Sequence, residues 1–153
     1  MILVYVVGTG LLLVGTRFEV VLDGMRFGSA TIPINNNVGL ISGLLWLLPV
    51  AGSLRIADRS DGNIYLGALL GAVLVLASSL FMILSSESHL LFYWPNTQYS
   101  LKPILVWFIA GFFFHFTANQ MGVKRDNPIA TSIYFVYLGY FFVAWILHLV
   151  FYS

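Results

Sequence analysis

The chain contains no cysteine and few charged residues. Asp, Glu, Lys and Arg make up 8% of its 153 residues, whereas a soluble domain has about 25%. The absence of cysteine excludes disulfides, thiolate metal sites and cysteine nucleophiles. The net charge is +1, and no basic run is long enough to indicate a nucleic-acid partner. A soluble globular domain is therefore a poor description of this sequence.

Sequence motifs of known enzymes are absent as well. The sequence has no Walker A loop, G-x-S-x-G elbow or H-E-x-x-H pair. A transporter driven by protons or cations usually carries acidic residues inside its membrane spans, and the apolar stretches of this chain contain none. We therefore predict no catalytic residue and no metal ligand, and expect the chain to have no enzymatic activity by itself.

What the chain does contain is long apolar stretches. Hydrophobic residues make up 59% of it, and the mean hydropathy is +0.92. The uncharged stretches are 1–16, 27–54, 62–86, 103–123 and 127–153. A helix of roughly 20 residues crosses a hydrocarbon core about 30 Å thick. Four stretches reach this length and the first is marginal.

These lengths predict an all-α integral membrane protein with one domain of five transmembrane helices, the first one short. The spans are expected at about 1–16, 37–54, 63–85, 103–121 and 128–151. Residues 1–15 also resemble the apolar part of a signal peptide. No basic residue precedes them and no A-x-A-like site follows, so we expect a retained span.

The distribution of basic and aromatic residues predicts the orientation. With five spans, the turns at 55–61 and 120–127 share one side and carry four of the seven Lys and Arg residues. By the positive-inside rule, we expect the N-terminus inside and the C-terminus outside. The default membrane is a prokaryotic plasma membrane. Tyr93, Trp94 and Tyr99 then lie at the outer interface, where they anchor the chain or form a docking surface.

The first outer loop predicts a β-hairpin over residues 17–28. Asp23-Gly24 is a strong two-residue turn signal. Folding there places Val20 opposite Phe27 and Val21 opposite Arg26. The alternative is that the first helix continues through Val20–Leu22.

Glycines four residues apart indicate close helix packing. Gly39 and Gly43 fall in the second predicted helix, and Gly67 and Gly71 fall in the third. Small residues at this spacing let membrane helices approach each other. Because these two helices are consecutive, we predict that the two pairs pack inside the protein. Glycine is also simply frequent here, with 14 in the chain.

The fourth predicted helix carries a polar stripe. Trp107, Gly111, His115 and Asn119 are spaced by four residues and share one helix face. Tyr137 and Tyr140 of the fifth helix complete a candidate intramembrane polar site. His115 is either a proton-relay, ligand or quinone contact, or a neutral histidine hydrogen-bonded to a neighbouring helix. We favour the neutral histidine.

A haem held by two histidines of one chain is improbable. His115 and His148 fall on adjacent helices but at different depths, separated by something like 15 Å along the membrane normal. We therefore predict no cofactor.

The functional prediction is a non-catalytic membrane subunit that braces or assembles a larger membrane complex. Its expected partners are other membrane subunits or copies of itself, together with lipids. One alternative is a small oligomeric channel or carrier. Another is a membrane enzyme subunit that contributes a quinone, haem or lipid pocket.

Overall fold

Five α-helices make up most of the computed structural model, which confirms the predicted all-helical class. It describes residues 1–18, 22, 26–27, 33–35, 38–39, 42–58, 63–85, 92–93, 101–123 and 128–152. The helices are α1 (Ile2–Phe18), α2 (Ser42–Ala57), α3 (Ile64–Leu84), α4 (Leu101–Gln120) and α5 (Pro128–Tyr152).

Three of these helices are long and apolar enough to cross a membrane. They are α3, α4 and the Ile129–Phe151 part of α5. The other two are also apolar but shorter, with 17 residues in α1 and 16 in α2. At 1.5 Å per residue, each shorter helix is roughly 25 Å long. The three long helices are compatible with integration into a membrane.

Short strand pairs lie between the helices. The strands are β1 (Arg26–Phe27), β2 (Pro33–Asn35), β3 (Val38–Gly39) and β4 (Phe92–Tyr93). β1 pairs antiparallel with β4, and β2 pairs antiparallel with β3. The β1–β4 pair connects the segment after α1 to the segment before α4.

The predicted hairpin over residues 17–28 is not supported. α1 stays helical through Phe18, where the first strand of the hairpin was expected. Arg26 is paired with Tyr93, and Phe27 with Phe92. The turn at 23–24 and the expected partner residues 20 and 21 lie outside the described residues. A local turn signal carries no information about a partner strand that is distant in sequence, and in this structure the distant partner is the one found.

α2 is the central helix of the bundle, in contact with α1, α3, α4 and α5. α3 and α4 form the most extensive pair and run antiparallel. Near the end of α4, the Asn119 side-chain amide donates to the carbonyl of Ile64 at the start of α3, at 3.1 Å. Farther along the pair, Gly111 approaches Ala72 and Val75.

The ends of α3 and α4 follow from local sequence. Asn63 caps α3: its side-chain oxygen accepts from the backbone N–H groups of Tyr65 and Leu66, at 3.0 and 3.1 Å. α4 is followed by Gly122, whose φ of +59° is a left-handed conformation that glycine adopts without steric cost. The N–H of Val123 bonds back to the carbonyl of Ala118, which completes a Schellman end.

Pro49 interrupts the hydrogen bonding of α2. Proline has no N–H, so the carbonyl of Leu45, four residues earlier, loses its helical partner. The Tyr137 hydroxyl of α5 lies 3.4 Å from that carbonyl oxygen and donates to it. A neighbouring helix thus replaces the missing donor, which is how proline is tolerated within apolar helices.

A layer of aromatic rings fills the core. Trp46 of α2 and Trp107 of α4 are stacked, with ring centroids 3.8 Å apart and planes 12° from parallel. Phe114 meets Trp46 edge-on at 5.7 Å. α1 fits against the same indole because Gly8 faces it, and a Cβ at position 8 would come within 2.7 Å of Trp46. Both tryptophans are almost wholly buried.

Candidate functional site

His115 lies inside the bundle with both ring nitrogens in hydrogen-bonded contacts. Its side chain is 0% exposed. Nε2 lies 2.9 Å from Oγ of Ser53 on α2. Nδ1 lies 2.9 Å from the carbonyl oxygen of Gly111, one turn earlier in α4. The imidazole therefore joins α4 to α2.

The ring fits because position 71 of α3 has no side chain. A Cβ built on Gly71 would overlap Cγ and Cδ2 of His115. The glycine thus provides the volume that the imidazole fills, and the ring is enclosed by α2, α3 and its own helix. This packing explains the complete burial of a polar side chain.

The rest of the predicted stripe on α4 also lies against protein. Trp107 stacks on Trp46, and Gly111 packs close to α3. Asn119 is half-buried and bonded to the carbonyl of Ile64. The four-residue spacing thus puts the stripe on the inner face of α4, where each member contacts α2 or α3.

The two tyrosines predicted to join this site occupy different surroundings. Tyr137 is half-buried, and its hydroxyl lies 3.4 Å from both the Leu45 carbonyl oxygen and Sδ of Met82. Tyr140 is 55% exposed on the outer face of α5. Both hydrogen-bonded contacts of the His115 ring go to other residues, so the candidate site contains neither tyrosine.

One of the predicted packing glycines, Gly39, lies outside the helix to which it was assigned. Gly39 lies in β3, before α2 begins at Ser42, so Gly39 and Gly43 do not share a helix face. Gly43 faces Tyr5 and Thr9 of α1, and Gly71 faces His115 of α4. Gly43 therefore allows the close approach of α1, and Gly71 allows the close approach of α4. Neither contact brings α2 against α3. Gly67 is buried within α3.

The aromatic residues predicted for the outer interface are only partly described. Tyr93 lies in β4 and is paired with Arg26. Trp94 and Tyr99 lie outside the described residues.

Sequence reasoning missed Ser53, Trp46 and Tyr134. Ser53 is 0% exposed, with Oγ 2.6 Å from the Pro49 carbonyl oxygen and 3.2 Å from that of Val50. Tyr134 is 2% exposed and donates to the carbonyl of Leu74 at 2.8 Å. The sequence gives no signal for the contacts of Ser53 with His115, of Trp46 with Trp107 or of Tyr134 with Leu74, because each joins residues on different helices. The sequence pattern that comes nearest to such a signal is Ser53, which follows Pro49 by four residues.

The Ser53–His115 pair has the spacing of an activated nucleophile and its base. Its burial opposes that chemistry, since neither side chain exposes any surface to a substrate. Across the described part of the chain, no group of three His, Cys, Asp or Glu residues is placed to bind a metal. With both ring nitrogens already in contact with protein oxygens, the arrangement suits an interhelical hydrogen bond.

Comparison of the chain with known protein families, curated proteins and solved structures found no match. The geometry of the bundle is therefore the basis for the functional argument.

Proposed function

We propose that this chain is a five-helix integral membrane protein acting as a non-catalytic subunit, one that braces or assembles a larger membrane complex. Its proposed setting is a prokaryotic plasma membrane, with the N-terminus inside and the C-terminus outside. Its partners are other membrane subunits or further copies of itself, with lipids around them.

The position of α2 supports five spans. α2 contacts all four other helices, three of which are long enough to cross a membrane. A helix packed against those three lies at the same depth as they do. The segment from Ser42 to Leu54 contains no charged residue, so it satisfies the apolar surroundings at that depth. α1 packs along α2 through Gly8, Trp46 and Gly43.

The subunit proposal rests on the burial and the hydrogen bonds of the His115 ring. A polar group that lines a pathway faces water or substrate. The His115 ring instead faces a serine and a carbonyl, with no exposed surface. One ring nitrogen contacts Ser53 on α2 and the other contacts Gly111 on its own helix, so the ring joins α4 to α2, as a bracing role requires.

The outer face of α5 provides the surface for neighbours. Only 11% of the 18-residue apolar segment of α5 is buried in the bundle, compared with 50% of the same length of α3 and 39% of α4. Val136 is 73% exposed and Phe135 is 58% exposed. In a bilayer such a face meets lipid or another membrane helix.

Purification in a mild detergent tests this function. We expect the chain to leave the membrane with different membrane subunits in a fixed ratio, measured by native mass spectrometry. We also expect His115→Gln to keep that assembly, because Gln retains hydrogen-bonding capacity at the helix contact. A closed ring of identical chains would contradict the subunit role and favour a channel or carrier. An intact His115→Gln complex that has lost a proton- or electron-transfer activity would overturn the structural role of His115.

A further inference from the structure

Four polar groups form a chain through the core, and it starts and ends at groups that only accept hydrogen bonds. The order is the Gly111 carbonyl, the His115 ring, the Ser53 hydroxyl and the Pro49 carbonyl. The successive contacts are 2.9, 2.9 and 2.6 Å. Each contact needs its own proton, so three protons are needed to satisfy all three.

A neutral ring supplies too few protons. A neutral imidazole carries one N–H and serine carries one O–H, which makes two. If Nδ1 holds the ring proton, it donates to Gly111, and Ser53 donates either to Nε2 or to Pro49. If Nε2 holds the proton, Nδ1 presents a lone pair to the Gly111 carbonyl oxygen at 2.9 Å, which is repulsive. The neutral form is therefore the Nδ1–H form, with one serine proton facing three acceptors: Nε2, the Pro49 carbonyl and, at 3.2 Å, the Val50 carbonyl.

A second ring proton satisfies the three contacts of this chain. In the imidazolium form both nitrogens donate, so Nε2 donates to Ser53 and the hydroxyl donates to Pro49. The cost is a positive charge inside an apolar core. No carboxylate is hydrogen-bonded or ion-paired to the ring among the described residues.

Among the residues that the structure describes, the groups around the ring offer no counter-charge. On α3 the ring faces Gly71. On α5, Tyr134 packs beside Gly52 with its hydroxyl bonded to Leu74, and the Tyr137 hydroxyl is bonded to the Leu45 carbonyl of α2. The next charged residues after Ser53 are Arg55 in the last turn of α2 and Asp58 just after it, both exposed. Protonation of the ring therefore adds one hydrogen bond and places one positive charge in the buried core.

We propose that the His115–Ser53 pair is a proton-responsive latch between α4 and α2. A proton from solvent forms an N–H bond at Nε2, and the ring gains one positive charge. No bond in the protein breaks. The Ser53 hydroxyl turns from Nε2 to the carbonyl of Pro49, so the proton state of one ring is transmitted to the backbone of α2 at Pro49. Because α2 contacts all four other helices, the latch acts on the centre of the bundle.

Nuclear magnetic resonance of ¹⁵N-labelled histidine from pH 8 to pH 3 tests the latch. The protein is held in detergent, and its near-ultraviolet circular dichroism reports whether it stays folded. The His115 signal is identified by its loss in His115→Gln. We expect the Nδ1–H form at pH 8 and conversion to imidazolium in the folded protein. In Ser53→Ala, Nε2 loses its acceptor, so the midpoint falls by about one pH unit.

Ser79→Ala is the matched control, because Ser79 is equally buried and its hydroxyl bonds Leu76 on its own helix. We expect its midpoint to equal that of the parent. An unchanged midpoint in Ser53→Ala overturns the latch. So does an Nε2–H form at pH 8, or a ring that never takes the second proton while the protein is folded.

A measurement on the unaltered chain covers the case in which Ser53→Ala does not fold. Pro49-Val50 is the only Pro-Val pair in the sequence, so ¹³C-carbonyl proline combined with ¹⁵N-valine labels one carbonyl selectively. We expect the Pro49 carbonyl resonance to shift with the same midpoint as the His115 ring. A Pro49 resonance that stays fixed while the ring is protonated refutes the proposed turn of the Ser53 hydroxyl.

Discussion

At the scale of single residues, the bundle depends on positions where a missing side chain makes room for a large one. Gly71 leaves the volume that His115 fills, and Gly8 leaves room for Trp46. A Cβ added at Gly10 or Gly139 would meet no atom within 4 Å. Glycine content alone therefore does not show which glycines matter, and the contact made by each one does.

Replacing Gly71 with Ala is expected to destabilise the protein. The added Cβ overlaps the His115 ring, and overpacking of this kind costs about 1–3 kcal/mol. Gly139→Ala is the control, since nothing lies within 4 Å of its added Cβ and alanine favours helix by about 1 kcal/mol. Thermal unfolding in detergent should give a lower melting temperature for Gly71→Ala and an unchanged or higher one for Gly139→Ala. Equal melting temperatures would contradict the role of Gly71.

At the scale of helices, tyrosine hydroxyls fasten α5 to the rest of the bundle. Tyr134 donates to a carbonyl of α3, and Tyr137 donates to the carbonyl of α2 that Pro49 leaves without a partner. Membrane helices lack a hydrophobic drive toward one another. Hydrogen bonds of this kind and close packing at Gly52, where Tyr134 rests, therefore hold α5 in place.

We expect Tyr134→Phe to lower the free energy of unfolding by about 1 kcal/mol, the usual value of one buried hydrogen bond. The ring and its contact with Gly52 are retained, so the loss reports the hydroxyl alone. Tyr65→Phe is the control, because Tyr65 is 69% exposed and its ring keeps its contact with Phe116 at 5.7 Å. Chemical unfolding in detergent measures both variants. A loss of the same size in each would show that the Tyr134 hydroxyl contributes nothing specific.

Local patterns account for what the sequence predicted at this scale. Apolar length identifies helices, and four-residue spacing identifies the inner face of α4, because both properties belong to one segment. Contacts between segments were not predictable. Ser53 and His115 are 62 residues apart in sequence, and β1 takes its partner from beyond α3. The hairpin prediction is unsupported for that reason, and Gly39 was misplaced because α2 begins three residues after it.

At the scale of the whole molecule, the contacts define alternating directions for the helices from α2 to α5. α3 and α4 are antiparallel, as shown by the hydrogen bond of Asn119 to Ile64 and by the packing of His115 against Gly71. α2 and α4 are parallel, since Trp46 meets Trp107 and Ser53 meets His115. Successive helices of opposite direction are what a chain crossing a bilayer five times requires.

Labelling of single introduced cysteines tests the five-span arrangement most directly. The chain has no cysteine of its own, so Ser29→Cys, Ser60→Cys, Thr97→Cys and Asn127→Cys each give one reactive site. An impermeant thiol reagent applied to intact cells should label positions 29 and 97 at once, and positions 60 and 127 only after permeabilisation. Labelling of 29 and 60 from the same side would show that α2 does not cross the membrane. That result would contradict the five-helix bundle on which the account depends.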